Sequence, residues 1–130
     1  MKYAPIIAGI LLGLLYIASG LVFLLHVAPM PPMPEGTPAA LFMGAFVPTG
    51  YLSFVKVFEV IGGVLVAIPR TRNFGLLVLG PIIINILAFD IFIMKGVGLF
   101  DKTGIPIIII SLLAAYLLWT GRKAFAGLLN

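Results

Sequence analysis

Five side chains carry most of the chemistry this sequence offers inside otherwise apolar stretches: His26, Lys56, Glu59, Asn85 and Asp90. Lys56 and Glu59 stand at i and i+3, about 60° apart on one helix face, so an ammonium and a carboxylate can pair directly. Ionised, Lys56, Glu59 and Asp90 sum to −1, and a sheltered cluster of that kind is expected to take up and release one proton near neutral pH. The Lys56–Glu59 pair has three open readings: a lock between helices, a site for the head group of an apolar ligand, and a stage in a proton path. Asp90 has two, a bond to a neighbouring backbone or to Lys95, or a place in the same cluster. His26 reads as a polar anchor at an interface or as a ligand. No catalytic residue and no metal site is assigned. The chain has no cysteine, which removes thiolate, disulfide and iron–sulfur chemistry. One histidine excludes bis-histidine haem ligation within a copy, and Met30 and Met33 alone make a poor soft-metal site.

The elements that must position these groups follow from composition. Of 130 residues, 62% are apolar, and only 8 Lys+Arg and 4 Asp+Glu are present. Mean hydropathy is +1.27. Such a chain cannot coat a water-soluble globule with charge, nor can it stay disordered. It reads as one integral membrane domain, residues 1–130, all-α, a transmembrane four-helix bundle. The expected spans are about 5–28, 50–68, 74–94 and 104–120, each near the length needed to cross a ~30 Å core. The first apolar run is too long for a signal peptide. Residues 38–47 are too few to cross and read as a short interfacial or re-entrant helix after the first span. The tail 121–130 reads as a surface segment, with Phe125, Leu128 and Leu129 behind Arg122 and Lys123.

Charge bias sets the orientation. Lys2, Arg70, Arg72, Arg122 and Lys123 fall on one side, against Lys95 and Lys102 on the other. Both termini are then cytoplasmic. The polar groups fall into one depth band. Lys56 and Glu59 lie roughly 9–14 Å below the outer face, and Asp90 roughly 24 Å from the inner face, at 1.5 Å per residue. Each charge facing lipid would cost about 2.5–3.5 kcal/mol near a helix centre, so these groups are expected to face the bundle interior. Asn85 and Asp90, at i and i+5, are about 140° apart, so one of them is expected to face a different neighbour. Ser19 and His26 share a face of the first helix at i and i+7. Gly9, Gly13 and Gly20 form a small-residue stripe suited to close packing, within the bundle or in a homo-oligomer. The scattered basic residues make no nucleic-acid footprint. The lipid bilayer is the expected partner.

The runs LHVAPMPPMP, LFMGAFVPTGYL, KVFEVIGGVLVAIPR and LGPIIINILAF occur in that order, followed by a basic–aromatic tail, RKAFAGLL. Together they resemble the DoxX family of small prokaryotic membrane proteins. The resemblance spans about Leu11 to Leu129 and is carried most specifically by Gly50 to Glu59 and Pro81 to Ile86. It implies a four-helix bundle in the cytoplasmic membrane. Some relatives are similar to the quinone-reducing membrane subunit of thiosulfate oxidation, and others look like anchors for soluble redox enzymes. By that resemblance Lys56, Glu59 and Asn85 fall on the family's polar positions, and His26 on its outer histidine. The chain departs from the pattern at Val22, where Asn is frequent, and at Asp90, where His is frequent. The implied role is an accessory subunit of a membrane redox system, without catalysis of its own, that binds a quinone-like or other apolar ligand in the outer half of the bundle. Its partners would be soluble or membrane redox proteins. A small proton or solute carrier and a ligand-free scaffold are the alternatives.

Overall fold

The computed structural model describes residues 2–29, 33–95 and 104–129. Met30 and Lys102, which entered the soft-metal and orientation readings, lie outside the described residues. Among the described residues every regular element is helical. Helix α1 runs Ala4–Leu24, with Pro5 in the first turn, where a missing N–H costs nothing. It stops at Leu24 rather than near 28. His26 takes a left-handed φ of 54°, its N–H donates to the Phe23 carbonyl at 3.2 Å, and Val27 N–H donates to the Val22 carbonyl at 3.1 Å. Those two bonds are a Schellman stop, and histidine is one of the few L-residues that enters this conformation readily.

The segment expected to be interfacial or re-entrant is helix α2, Pro38–Phe46. The Thr37 hydroxyl caps it, accepting from Ala40 N–H at 3.3 Å. Gly50, at φ +81°, then breaks the chain before α3, Tyr51–Ala67. The two helices meet at a bend of 79°. A turn at Pro69–Thr71 reverses the chain into α4, Arg72–Ala88, and Thr71 Oγ1 pins that turn by donating to the Leu65 carbonyl at 2.7 Å. Pro81 sits inside α4 without ending it. The helix continues into a π-turn over Phe89–Ile93, where Met94 N–H reaches back to the Phe89 carbonyl at 3.0 Å. Helix α5 covers Gly104–Thr120 and α6 covers Arg122–Ala126. Arg122 closes the end of α5, donating to the Trp119 carbonyl at 2.7 Å with its guanidinium 4.2 Å from the indole centre. In the tail, Phe125 packs inward on the core while Leu128 stays exposed.

The four longer helices close a ring: α1 packs on α3 and α5, and α4 packs on α3 and α5. Glycines decide how near α1 and α3 come. A Cβ on Gly13 would strike the Gly63 carbonyl, one on Gly63 would lie 2.8 Å from the Gly13 carbonyl, and one on Gly9 would lie 2.8 Å from the Val66 carbonyl. A Cβ on Gly20 would lie 3.0 Å from the Lys56 carbonyl. The pairing order shows that the helices run antiparallel with their backbones in contact. The small-residue stripe packs against α3 of the same chain, the within-bundle use expected for Gly9, Gly13 and Gly20. Gly75 plays the same part on α4, where a Cβ would lie 2.6 Å from Val66 N.

One half of the ring is packed solid, with Leu12, Val66, Leu79 and Leu117 fully buried around Tyr16. The outside is apolar: Leu14, Ile84 and Leu112 are 56%, 67% and 66% exposed. A surface like that needs hydrocarbon rather than water against it. Ala4–Leu24 and Pro69–Ile93 are long and apolar enough to cross a membrane, and the bent pair α2–α3 makes a third span if counted as one. Ile105–Thr120 is a shorter apolar helix.

Gly13→Leu is expected to destabilise the fold by about 1–3 kcal/mol or more, because backbone cannot yield as a side chain can. Gly80→Ala, where nothing lies within 4 Å of the added carbon, should leave it unchanged or raise it. Melting of the two variants in mild detergent checks the difference.

Candidate functional site

The other half of the ring holds a cavity of about 900 Å³. It lies where α1 and α4 end and α3 and α5 begin, with α2 across it. Its polar lining is Ser19, Lys56, Glu59, Asn85 and Asp90, with Tyr51. Lys56 Nζ lies 3.0 Å from Glu59 Oε2 and donates to Ser19 Oγ at 3.2 Å. The first contact is an ion pair. The Ser19 bond ties α3 to α1 across the seam that the glycines close. Glu59 is 2% exposed and the Lys56 side chain 19% exposed, so the carboxylate is the inner member and the ammonium the outer.

Asn85 donates its amide N–H to the Pro81 carbonyl at 2.7 Å, which turns the side chain back along its own helix. Its amide oxygen and second N–H remain for other partners. Asp90 is 6% exposed and lies in the π-turn. A π-turn uses more residues per turn than an α-helix, so Asp90 rotates less far from Asn85 than 140°. Both residues line the same cavity.

His26 is the residue the structure separates from the others. It is exposed and is not among the cavity-lining residues. The reason is the early stop of α1: Ser19 stays on the helix and faces the cavity, while His26 sits in the left-handed turn beyond it. The helical i, i+7 relation between the two does not apply.

Aromatic rings form much of the apolar wall. Phe42 stacks on Phe46 with centroids 4.1 Å apart, meets Phe89 at 4.9 Å, and Phe46 meets Tyr51 at 4.6 Å. These contacts seat α2 on both α3 and α4. Sequence reasoning missed this wall, although Phe42 and Phe46 at i, i+4 carried the signal. It also missed Tyr16, 1% exposed, whose hydroxyl has no hydrogen-bond partner among the described residues. Arg72, at the opposite end of α4, packs its Nε against α1 near Gly9, also without a hydrogen-bond partner among the described residues.

Chemically, the arrangement offers an ammonium with donor capacity to spare, an amide with both donor and acceptor capacity, two carboxylates and flat apolar walls. It suits an apolar molecule with a polar, oxygen-bearing head. Among the described residues no group of three or more His, Asp or Glu side chains is placed to hold a metal ion.

Lys56→Met leaves Glu59 buried without its partner and is expected to cost about 3–5 kcal/mol. Glu59→Leu should cost less, because Lys56 keeps some exposure. The double variant should lose less than the sum of the two, read by denaturation of all four proteins in a mutant cycle. His26→Gly is expected to hold or raise stability, whereas His26→Val should lower it by about 1 kcal/mol or more, as a β-branched residue resists the left-handed turn. Thermal melts distinguish this turn-forming role from one in the polar cluster.

No protein-family model, no curated protein and no solved structure matches this chain.

Proposed function

We propose that this chain is a DoxX-like multi-pass protein of a prokaryotic cytoplasmic membrane, spanning it four times with both termini in the cytoplasm. In this reading it is an accessory subunit of a membrane redox system, and it holds a quinone-like or similar apolar ligand in the outer half of the bundle. The observation that carries the reading is the ion pair Lys56–Glu59 on the wall of an aromatic-lined cavity of about 900 Å³. That volume lies within the range of small-molecule sites, and such sites combine apolar walls with a few convergent polar groups. Isoprenoid or other apolar tails would lie against Phe42, Phe46 and Phe89. Lys56 would donate to a head-group oxygen, since its ammonium has three protons and two contacts. Any redox chemistry belongs to the ligand or to a partner protein, while the chain supplies position and electrostatics.

A second reading, a small proton or solute carrier, draws on Glu59 and Asp90, two carboxylates on one cavity. The solid packing of Leu12, Val66, Leu79 and Leu117 beneath the cavity favours binding over passage, because it offers no polar route onward.

Decylubiquinone is expected to bind the detergent-purified chain with measurable heat. Lys56→Met should weaken it by tenfold or more, the worth of about 1.5–3 kcal/mol for a charge-assisted bond. Equal affinity in the two proteins would remove Lys56 from the site. Proteoliposomes of the wild-type chain should show no proton flux above the lipid background, and sustained flux would favour the carrier.

A further inference from the structure

The end of the bundle away from the cavity gathers charge of one sign. Lys2 precedes α1, Arg70 stands in the turn between α3 and α4, Arg72 opens α4, and Arg122 and Lys123 open α6. Chain direction brings them to one end, because α1 and α4 start where α3 and α5 stop. Two contacts fix the grouping. A Cβ on Gly9 would lie 3.0 Å from Arg72 Nε, so Arg72 reaches across onto α1. One on Gly121 would lie 2.7 Å from Asn73 Oδ1, so the α5–α6 junction abuts the start of α4.

Among the described residues none of these five cations has a carboxylate within ion-pairing distance; the one ion pair, Lys56–Glu59, lies on the cavity. Lys2, Arg70, Arg122 and Lys123 are exposed. Arg72 is half-buried, with Nε and Nη2 covered by protein and without a hydrogen-bond partner among the described residues. Like charges so grouped repel, and a guanidinium held partly out of water is poorly hydrated. An anion brought from outside relieves both costs.

The surroundings of the charge indicate which anion. Trp119 and Leu128 are exposed at this end, and the Arg122 guanidinium lies 4.2 Å from the Trp119 indole centre. Phe125 packs on the core and so holds α6 with its two cations against the bundle. Cations continuous with an exposed indole and an apolar helix wall match a molecule with an anionic head and a hydrocarbon tail. Tryptophan sits at headgroup level in spanning proteins, and clustered Lys and Arg beside a span attract anionic lipids.

We propose that this end of the bundle is a binding surface for anionic phospholipids of the phosphatidylglycerol kind. Lys2, Arg70, Arg122 and Lys123 meet the phosphates, Arg72 adds its charge from behind them, and an acyl chain lies along Trp119 and α5. The proposal rests on the membrane placement argued above and is independent of the cavity and its ligand.

Trp119 is the only tryptophan in the chain, so its fluorescence reports this end alone. The chain is reconstituted in phosphatidylcholine vesicles that carry equal mole fractions of bromine-labelled phosphatidylglycerol or bromine-labelled phosphatidylcholine, because bromine quenches indole only at close range. Phosphatidylglycerol is expected to be favoured at Trp119 about fivefold or more, the worth of one basic residue near an anionic surface. The triple variant Lys2→Gln, Arg70→Gln, Lys123→Gln changes exposed positions only and leaves the Arg122–Trp119 stack in place. It should bring the two lipids close to parity while melting as the parent does. Lys95→Gln, beyond the far end of α4, should keep the preference, and inorganic phosphate at constant ionic strength should not diminish it. Equal quenching by the two lipids in the wild-type chain overturns the proposal, as does an unaltered preference in the triple variant. A preference abolished by inorganic phosphate overturns it too, by assigning the cations to a soluble anion. Quenching by neither lipid would remove the membrane placement as well. Whether a quinone binds is decided separately, by the calorimetry.

Discussion

Backbone contact between α1 and α3 fixes the distance on which every polar arrangement in this molecule depends. Gly13 and Gly63 each lie where a side chain on the other would stand, and Gly9 and Gly20 extend the contact to both ends of α1. At that separation the Lys56 ammonium spans from Glu59 on its own helix to Ser19 on the next. With ordinary side chains between the helices the reach would fail, and Lys56 and Glu59 would keep only each other. In hydrocarbon surroundings, small residues make this approach available because helix association there rests on van der Waals contact rather than on expulsion of water.

The two halves of the ring then divide the work. At one end Leu12, Val66, Leu79 and Leu117 interlock and carry the packing. At the other, packing is interrupted by two departures from regular helix. Gly50 bends α2 away from α3, and the π-turn at Phe89–Ile93 widens the end of α4. The space between them becomes a cavity, and the aromatic contacts among Phe42, Phe46, Phe89 and Tyr51 seat α2 across it. Both irregularities carry cavity residues, which accords with the tendency of such features to occur where backbone geometry serves a site.

The buried charges illustrate a balance particular to a low-dielectric interior. Lys56 offsets part of what Glu59 loses in hydration, because the pair is close. Ser19 accepts from Lys56. A ligand head group in the cavity would enter an arrangement already oriented, so little of its binding energy would go into ordering the protein.

Much of this was legible in the sequence where the information is local. Uncharged runs bounded by proline and basic residues set the helices, because hydropathy and helix termination act over a few residues. The rise per residue put Lys56, Glu59 and Asp90 in one depth band. What the sequence did not disclose depends on residues far apart. The partner of the Gly9–Gly13–Gly20 stripe is α3 of the same chain, a choice made by helix packing. His26 left the polar group because α1 stops in a Schellman turn, and a histidine carries no strong signal for that turn. Asp90 lies in a π-turn beyond α4 and lines the same cavity as Asn85. Tyr16, an ordinary aromatic in an apolar span, became a buried residue only when the helices packed together. Local chemistry determined the helices and where along them the polar residues fall; tertiary contact alone decided which faces meet and where space remains between them.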